Sequence, residues 1–115
     1  MICNRRAWSA DAEKGLLVSA GDDLPFIRDQ VKTGRALLYY LEDKTGFLWL
    51  VIRQDAKTEV CVVCAEGLNI QHFGAAIVDN FKKAGLVVRI HVKRPGMLRI
   101  MESLGFQISE YVLRI

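Results

Sequence analysis

A short run of small and polar residues, from Gln71 to Ala76, has the composition of an anion-binding helix start. The run reads QHFGAA; it follows an apolar segment and opens an amphipathic one. Small residues such as Gly74 and Ala76 let a ligand approach backbone N–H groups, and the dipole of a helix favours negative charge at its N-terminus. A phosphate could therefore bind here. Tight packing of a helix against a sheet would require the same small residues, and the sequence leaves both interpretations open.

Three side chains near this run have the chemistry of acid–base catalysis. Glu59 lies at the start of the preceding apolar segment, where a carboxylate could remove a proton from an amine. Glu66 is a second candidate base, and His72 could act as a base or hydrogen-bond a phosphate. For each of them the alternative is an exposed polar side chain without a catalytic role.

The three cysteines favour structural roles. Cys61 and Cys64 form a C-x-x-C pair, but the surrounding sequence VCVVC is typical of a strand, in which positions three apart point to opposite faces. Zinc sites of this spacing lie on tight turns and need a second pair of ligands, which the chain lacks. With Cys3 the chain has three cysteines, and an odd number argues against a disulfide framework. We expect Cys61 and Cys64 to be buried thiols, and we expect no metal.

The centre of the chain predicts three consecutive strands. Apolar runs over 36–41, 47–52 and 60–65 are separated by turn-forming segments at 42–46 and 53–57. Because the runs are apolar at nearly every position, both faces of the sheet should be covered. A helix over 22–32 is predicted before them, with Pro25 in its first turn and Gly34 after its end.

The flanking segments complete the predicted order. Residues 2–3 and 16–18 are expected to be short strands, and the segment from Glu66 to Ile70 a connecting loop. A helix over 70–84, a strand over 86–92, a helix over 97–104 and a strand over 106–115 should follow. The fold class is therefore α+β, or mixed α/β: an antiparallel three-strand meander followed by helix–strand–helix–strand, with helices on both faces of a central sheet.

The composition fits one domain. The chain has 115 residues, of which 51% are hydrophobic, and a net charge of +3. We expect a single unit over 1–115, with an N-terminal segment over 1–33 and a sheet core over 34–115. Its apolar runs are too short to span a membrane and no signal peptide is evident, so we expect a cytoplasmic protein with no membrane partner. A basic stripe is formed by four residues, Arg89, His91, Lys93 and Arg94. It is only a weak signal for nucleic-acid binding, and we do not expect nucleic acid as a partner.

The predicted order resembles the GCN5-related N-acetyltransferase (GNAT) fold. Gln71-x-x-Gly74-x-Ala76 is similar to the family's motif at the junction of its fourth strand and the next helix, and Leu104-Gly105-Phe106 is similar to a later helix–strand step. The resemblance implies that acetyl-CoA is the cofactor and that its pyrophosphate lies at this helix start. The implied cofactor-binding residues are Val63, Cys64, Gln71, His72, Phe73, Gly74, Ala75 and Ala76. Glu59 would be the base that deprotonates a small-molecule or protein amine.

Two features depart from the family pattern. The family often has a tyrosine as general acid where this chain has Met101, which cannot donate a proton, and a branched residue where this chain has Ala75. The alternative hypothesis is therefore a catalytically inactive GNAT-like protein with protein partners. A phage-encoded virion component is an example of such a protein, and its location would then be the virion.

Overall fold

The computed structural model describes residues 1–90, which form one five-stranded mixed sheet with three α-helices. The strands are β1 (Ile2–Arg6), β2 (Leu37–Asp43), β3 (Gly46–Ala56), β4 (Glu59–Leu68) and β5 (Val87–Ile90). The helices are α1 (Ala10–Ala20), α2 (Leu24–Lys32) and α3 (Ile70–Lys83), and a short 3-10 turn (Gly21–Asp23) joins α1 to α2.

The strands lie side by side in chain order, β1-β2-β3-β4-β5. The first three pairings are antiparallel, whereas β4 and β5 are parallel and are connected by α3. The predicted α+β class and the antiparallel meander are confirmed. The connecting turns are tighter than predicted, because β2 and β3 both extend beyond their apolar runs into polar residues.

Each face of the sheet has its own hydrophobic core, which explains why the central strands are apolar at nearly every position. Helices α1 and α2 cover one face through a cluster that includes Leu16, Ile27, Leu38, Trp49 and Val51. Helix α3 covers the other face through a cluster built around Phe73, which is fully buried. We call these the α1/α2 face and the α3 face.

The expectation of a short strand at 16–18 is wrong, because these residues lie in α1. Ser9 caps the helix by accepting a hydrogen bond from the backbone N–H of Ala12 at 3.2 Å, and two acidic residues lie in the first turn. Ala12, Leu16 and Ala20 recur every four residues and are all buried. The apolar run is thus the buried stripe of a helix, with Leu17 exposed beside it.

The expected loop over Glu66–Ile70 is also absent. Strand β4 continues to Leu68, and Asn69 alone connects it to α3 in a left-handed conformation, with φ of 68°. Gly67 permits the extension, since a Cβ there would lie 2.1 Å from the carbonyl oxygen of Phe47 on β3. The predicted helix over 97–104 and strand over 106–115 lie outside the described residues, as do Met101 and the motif at Leu104–Phe106.

Candidate functional site

The junction of β4 and α3 is where the sequence predicted an anion-binding site. Helix α3 begins at Ile70, and its first intrahelical hydrogen bond runs from the N–H of Phe73 to the carbonyl of Asn69. The N-cap residue Asn69 makes no side-chain capping bond, and the first turn contains no acidic residue. This positive helix end therefore has neither the side-chain cap nor the acidic first turn that stabilise α1.

The six residues of the run have different positions on α3. Gln71 and His72 lie in the first turn, at the N-terminus, and both are exposed. Phe73 is fully buried and fixes the helix to the α3 face. Gly74, Ala75 and Ala76 lie in the second turn, where backbone N–H groups bond within the helix. Of the run, only Gln71 and His72 border the helix end.

A polar network joins this helix end to the β2–β3 hairpin. His72 Nε2 lies 2.6 Å from Asp43 Oδ2, and Asp43 Oδ1 accepts hydrogen bonds from the hydroxyl of Thr45 at 2.6 Å and from its backbone N–H at 2.8 Å. Asn69 Nδ2 donates to Thr45 Oγ1 at 3.0 Å. The Thr45 hydroxyl, then its N–H and the His72 side chain, lower the pKa of Asp43 to about 2. A carboxylate that is ionised at neutral pH therefore lies beside the first turn of α3.

Only part of this network could be predicted from the sequence. The Asp43-Lys44-Thr45 segment is typical of a turn in which an aspartate accepts from a backbone N–H two residues later. The contact between Asp43 and His72 spans 29 residues of sequence and depends on the extension of β4, which was not predicted. An open groove of about 260 Å³ adjoins the hairpin, lined by Tyr40, Glu42, Asp43, Lys44, Thr45, Gly46, Phe47 and Leu68.

Strand β4 contains a β-bulge at the other predicted cofactor residues. Val62 pairs with Ile52 and Cys64 pairs with Val51, so Val63 has no partner on β3. Bulges leave backbone groups unpaired and are common next to active sites. Val63 is thus the extra residue of the bulge, and it packs against the core of the α1/α2 face.

The bulge also corrects the prediction for the cysteines. Cys61 and Cys64 are buried free thiols, as expected, but both point to the α1/α2 face rather than to opposite faces. The extra residue, Val63, shifts the alternation of the strand by one position. Burial, with a smaller contribution from the charge of Glu66, raises the pKa of Cys64 to about 12. Its thiol is therefore not a nucleophile at neutral pH.

The structure places Glu59 far from the run at 71–76. Glu59 is the first of the ten residues of β4, and a strand of that length spans about 30 Å. Its Oε1 accepts a hydrogen bond from Arg89 Nη1 on β5 at 2.7 Å. Glu66, the second candidate base, lies on β4 opposite Trp49 and is half-buried. Only a ligand extended along β4 could contact both Glu59 and Gln71.

Three further features of residues 1–90 bear on the kind of site. No group of three or more His, Cys, Asp or Glu side chains in this range is placed to hold a metal ion. None of the helices in the same range has the length and apolar character needed to cross a membrane. Of the predicted basic stripe, the described part is Arg89, which is bonded to Glu59.

No known protein family, curated protein or solved structure matches the chain. A functional assignment therefore depends on the geometry of β4, α3 and the β2–β3 hairpin.

Proposed function

We propose that this chain is a GNAT-like protein that binds acetyl-CoA along β4 and transfers its acetyl group to an amine. The observation that carries the proposal is the bulge at Val63 on β4, a strand that passes directly into α3. The antiparallel meander followed by α3 and β5 supports the resemblance drawn from the sequence. Together these features supply a strand and a helix end that an extended cofactor could follow.

The cofactor would lie along the second half of β4. Residues 63–68 span about 20 Å, long enough for backbone groups to bond the amides of a pantetheine arm. The pyrophosphate would lie at the N-terminus of α3, within reach of Gln71 and His72, and the thioester would lie near Val63. Phe73 supports this site from the core, and Gly74, Ala75 and Ala76 keep the second turn free of bulky side chains.

Acetyl transfer would proceed directly from the thioester to the amine. The amine nitrogen forms a bond to the acetyl carbon, the C–S bond breaks, the proton that the amine loses goes to the base, and the CoA thiolate takes a proton from solvent. Burial of Cys64, which also raises the pKa of its thiol, argues against this residue as an acetyl carrier. Glu59 is the candidate base; it lies on the α1/α2 face of β4, two and four positions before Cys61 and Val63.

A GNAT-like binding protein without catalysis is the second candidate. Glu59 already bonds to Arg89, and the ionised Asp43 beside α3 opposes the approach of a phosphate. The ion pair would weaken Glu59 as a base, and the charge of Asp43 would weaken cofactor binding. Neither would disturb a protein that uses the same fold to bind protein partners.

Titration with acetyl-CoA, followed by backbone amide chemical shifts, tests the proposal. We expect shifts at Val63, Cys64 and the first turn of α3, and none at the far ends of α1 and α2. An acetyl-transfer assay on a panel of amines then separates the two candidates. Transfer that falls in Glu59→Gln supports the enzyme, whereas cofactor binding without transfer to any amine favours the binding protein. Absence of binding would contradict the cofactor assignment.

A further inference from the structure

A row of directly opposed residues crosses the sheet beside the β2–β3 hairpin, and we call it the hairpin row. It consists of one residue from each of β1 to β4, namely Ile2, Glu42, Phe47 and Leu68. Opposed residues share a face of a sheet, and Tyr40 and Trp49, two positions along β2 and β3, pack into the core of the α1/α2 face. The three apolar members of the row are 63%, 37% and 61% exposed. Helices α1 and α2 therefore leave this end of their face open.

The groove of about 260 Å³ beside the hairpin opens onto this row. Glu42, Phe47 and Leu68 line it together with Tyr40. The rings of Tyr40 and Phe47 have their centroids 6.2 Å apart, and the Tyr40 hydroxyl donates to Glu42 Oε2 at 2.9 Å. The groove thus combines aromatic and aliphatic walls with one carboxylate.

The aromatic cluster at the groove already accepts a cation from the chain itself. The guanidinium carbon of Arg6 lies 5.1 Å from the centroid of the Tyr40 ring, within the range of a cation–π contact. The negative face of an aromatic ring attracts a cation in this geometry. Phe47 lines the groove and is partly exposed, so it offers a further aromatic surface to a ligand.

The charges around the groove also favour a cation. Glu42 bonds to a neutral hydroxyl, so that contact does not compensate its charge. Glu66 lies on the same face, half-buried opposite Trp49. The Asp43 carboxylate is directed to the other face, where it contacts His72. Lys44, on the exposed turn, is the one cation among the residues that line the groove.

We propose that this groove binds an organic cation with a methylated ammonium group. Its methyl groups contact Phe47 and Leu68, and its positive charge faces Glu42. Methyl groups suit these walls better than N–H groups do, because most of the row is apolar. A trimethylammonium group has no N–H and cannot accept an acetyl group. The inference therefore goes beyond the proposed function and does not require acetyl-CoA.

Two probes of the same shape test whether the groove recognises charge. Choline carries a trimethylammonium group, and 3,3-dimethylbutanol is its neutral isostere, with carbon in place of nitrogen. Each is titrated into the ¹⁵N-labelled full-length protein, with sodium chloride as the control for ionic strength. We expect choline to shift the amides of Glu42, Phe47 and Leu68. The alcohol should bind at least about fivefold more weakly, because it lacks the cation–π and ionic contacts.

A third probe distinguishes the source of the cation. Trimethyllysine with both ends blocked carries the same head group on an aliphatic arm. Tighter binding of this probe than of choline would support the proposal with a protein side chain as the ligand. Binding of choline equal to or tighter than that of the lysine derivative would support it with a free small molecule as the ligand.

Matched substitutions locate the site. Glu42→Gln keeps an acceptor for the Tyr40 hydroxyl but removes the charge, and it should raise the Kd for choline by about fivefold. Phe47→Leu keeps an apolar side chain but removes the ring, and it should raise this Kd about two- to fivefold. Glu13→Gln on α1 and Phe26→Leu on α2 make the same changes at exposed sites away from the hairpin, and both should bind choline as the wild type does. Amide spectra show whether each variant keeps the fold.

The outcomes separate this inference from the proposed function. An absence of shifts at about 100 mM choline, or equal affinity for choline and the alcohol, would overturn the cation site even if acetyl-CoA binds. Equal loss of choline binding in Phe26→Leu and Phe47→Leu would also overturn it. If choline shifts the hairpin row and acetyl-CoA does not bind, the cation site stands and the cofactor proposal fails.

Discussion

His72 Nε2 lies 2.6 Å from Asp43 Oδ2, so the first turn of α3 is joined directly to the β2–β3 hairpin. A second contact, from Asn69 Nδ2 to Thr45 Oγ1, runs parallel to it. The two contacts connect the N-terminus of α3 to a turn on a different pair of strands. They also place an ionised carboxylate at the helix end where the proposed cofactor would put its pyrophosphate.

Asp43 should make stability depend on pH in the acid range. Its pKa in the folded protein is about 2, below the ordinary value of 3.8, because Thr45 and His72 donate to the carboxylate. A lowered folded-state pKa gives a contribution to stability that is present above about pH 4 and is lost as pH falls toward about 2. We expect the free energy of unfolding of Asp43→Asn, measured in urea, to fall less steeply over this range than that of the wild type.

Asp29→Asn is the control for this measurement. Asp29 is an exposed acid on α2, and its side chain has no part in the hairpin network. Its substitution should leave the pH profile unchanged. A profile for Asp43→Asn as steep as that of the wild type would show that Asp43 is not held by the hairpin network in solution.

Gly15 should be required for the packing of α1 on the sheet. A Cβ at this position would clash with Cδ1 of Trp49, whose ring packs at a tilt against that of Tyr40 with centroids 4.6 Å apart. Alanine is favoured in helices by about 1 kcal/mol over glycine, but overpacking commonly costs about 1–3 kcal/mol. We expect Gly15→Ala to lower the free energy of unfolding.

A double-mutant cycle with Trp49→Leu identifies the cause. If the clash with the indole ring is responsible, Gly15→Ala should cost less when Trp49 has been replaced by a smaller side chain. A stabilising effect of Gly15→Ala in the wild-type background would show that α1 lies farther from the sheet.

The three thiols should differ in reactivity. Cys3 is exposed on β1, whereas Cys61 and Cys64 are buried. A thiol reagent at pH 8 should modify one cysteine rapidly in the native protein and all three after unfolding in denaturant. Replacement of Cys3 by serine should abolish the rapid phase. Rapid reaction of two or three thiols in the native state would contradict the burial of the C-x-x-C pair.

Local patterns predicted most of the described fold. Three long apolar runs predicted the central strands, and the apolar face containing Phe73 and Ile77 predicted α3. The segment at 16–18 was misassigned because a short apolar run does not separate a strand from a buried helix stripe. The sequence signal that distinguishes a helix here is Ser9 followed by Asp11 and Glu13, which is typical of a capped and acidic helix start.

The candidate site was less predictable, because it depends on contacts between distant parts of the chain. The Q-x-x-G-x-A spacing predicted the start of α3. It did not predict the contact of His72 with Asp43, because Asp43 lies 29 residues earlier in the chain. The bulge at Val63 depends on how β4 registers against β3, and the sequence of β4 is uniformly apolar around it. Glu59 was predicted as a base, whereas its ion pair with Arg89 follows from the parallel pairing of β4 with β5.

Charge substitutions on α3 should show whether its N-terminus meets the cofactor. Ala75→Glu places a carboxylate on an exposed site in the second turn, near the proposed pyrophosphate. Like-charge repulsion should raise the Kd for acetyl-CoA, and because acidic residues suit the start of a helix, folding should be maintained. Asn80→Glu adds the same charge at an exposed site farther along α3 and should change the Kd much less. Equal effects of the two substitutions would place the cofactor elsewhere.

The thermal stability of the protein in the presence of acetyl-CoA tests the central claim most directly. A ligand that binds only the native state, at a concentration one hundred times its Kd, raises the free energy of unfolding by about 2.7 kcal/mol. The proposal predicts a concentration-dependent rise in Tm of several degrees with acetyl-CoA, and a smaller rise for Ala75→Glu at the same concentration. An unchanged Tm at millimolar acetyl-CoA would contradict the assignment of β4 and α3 as a cofactor site.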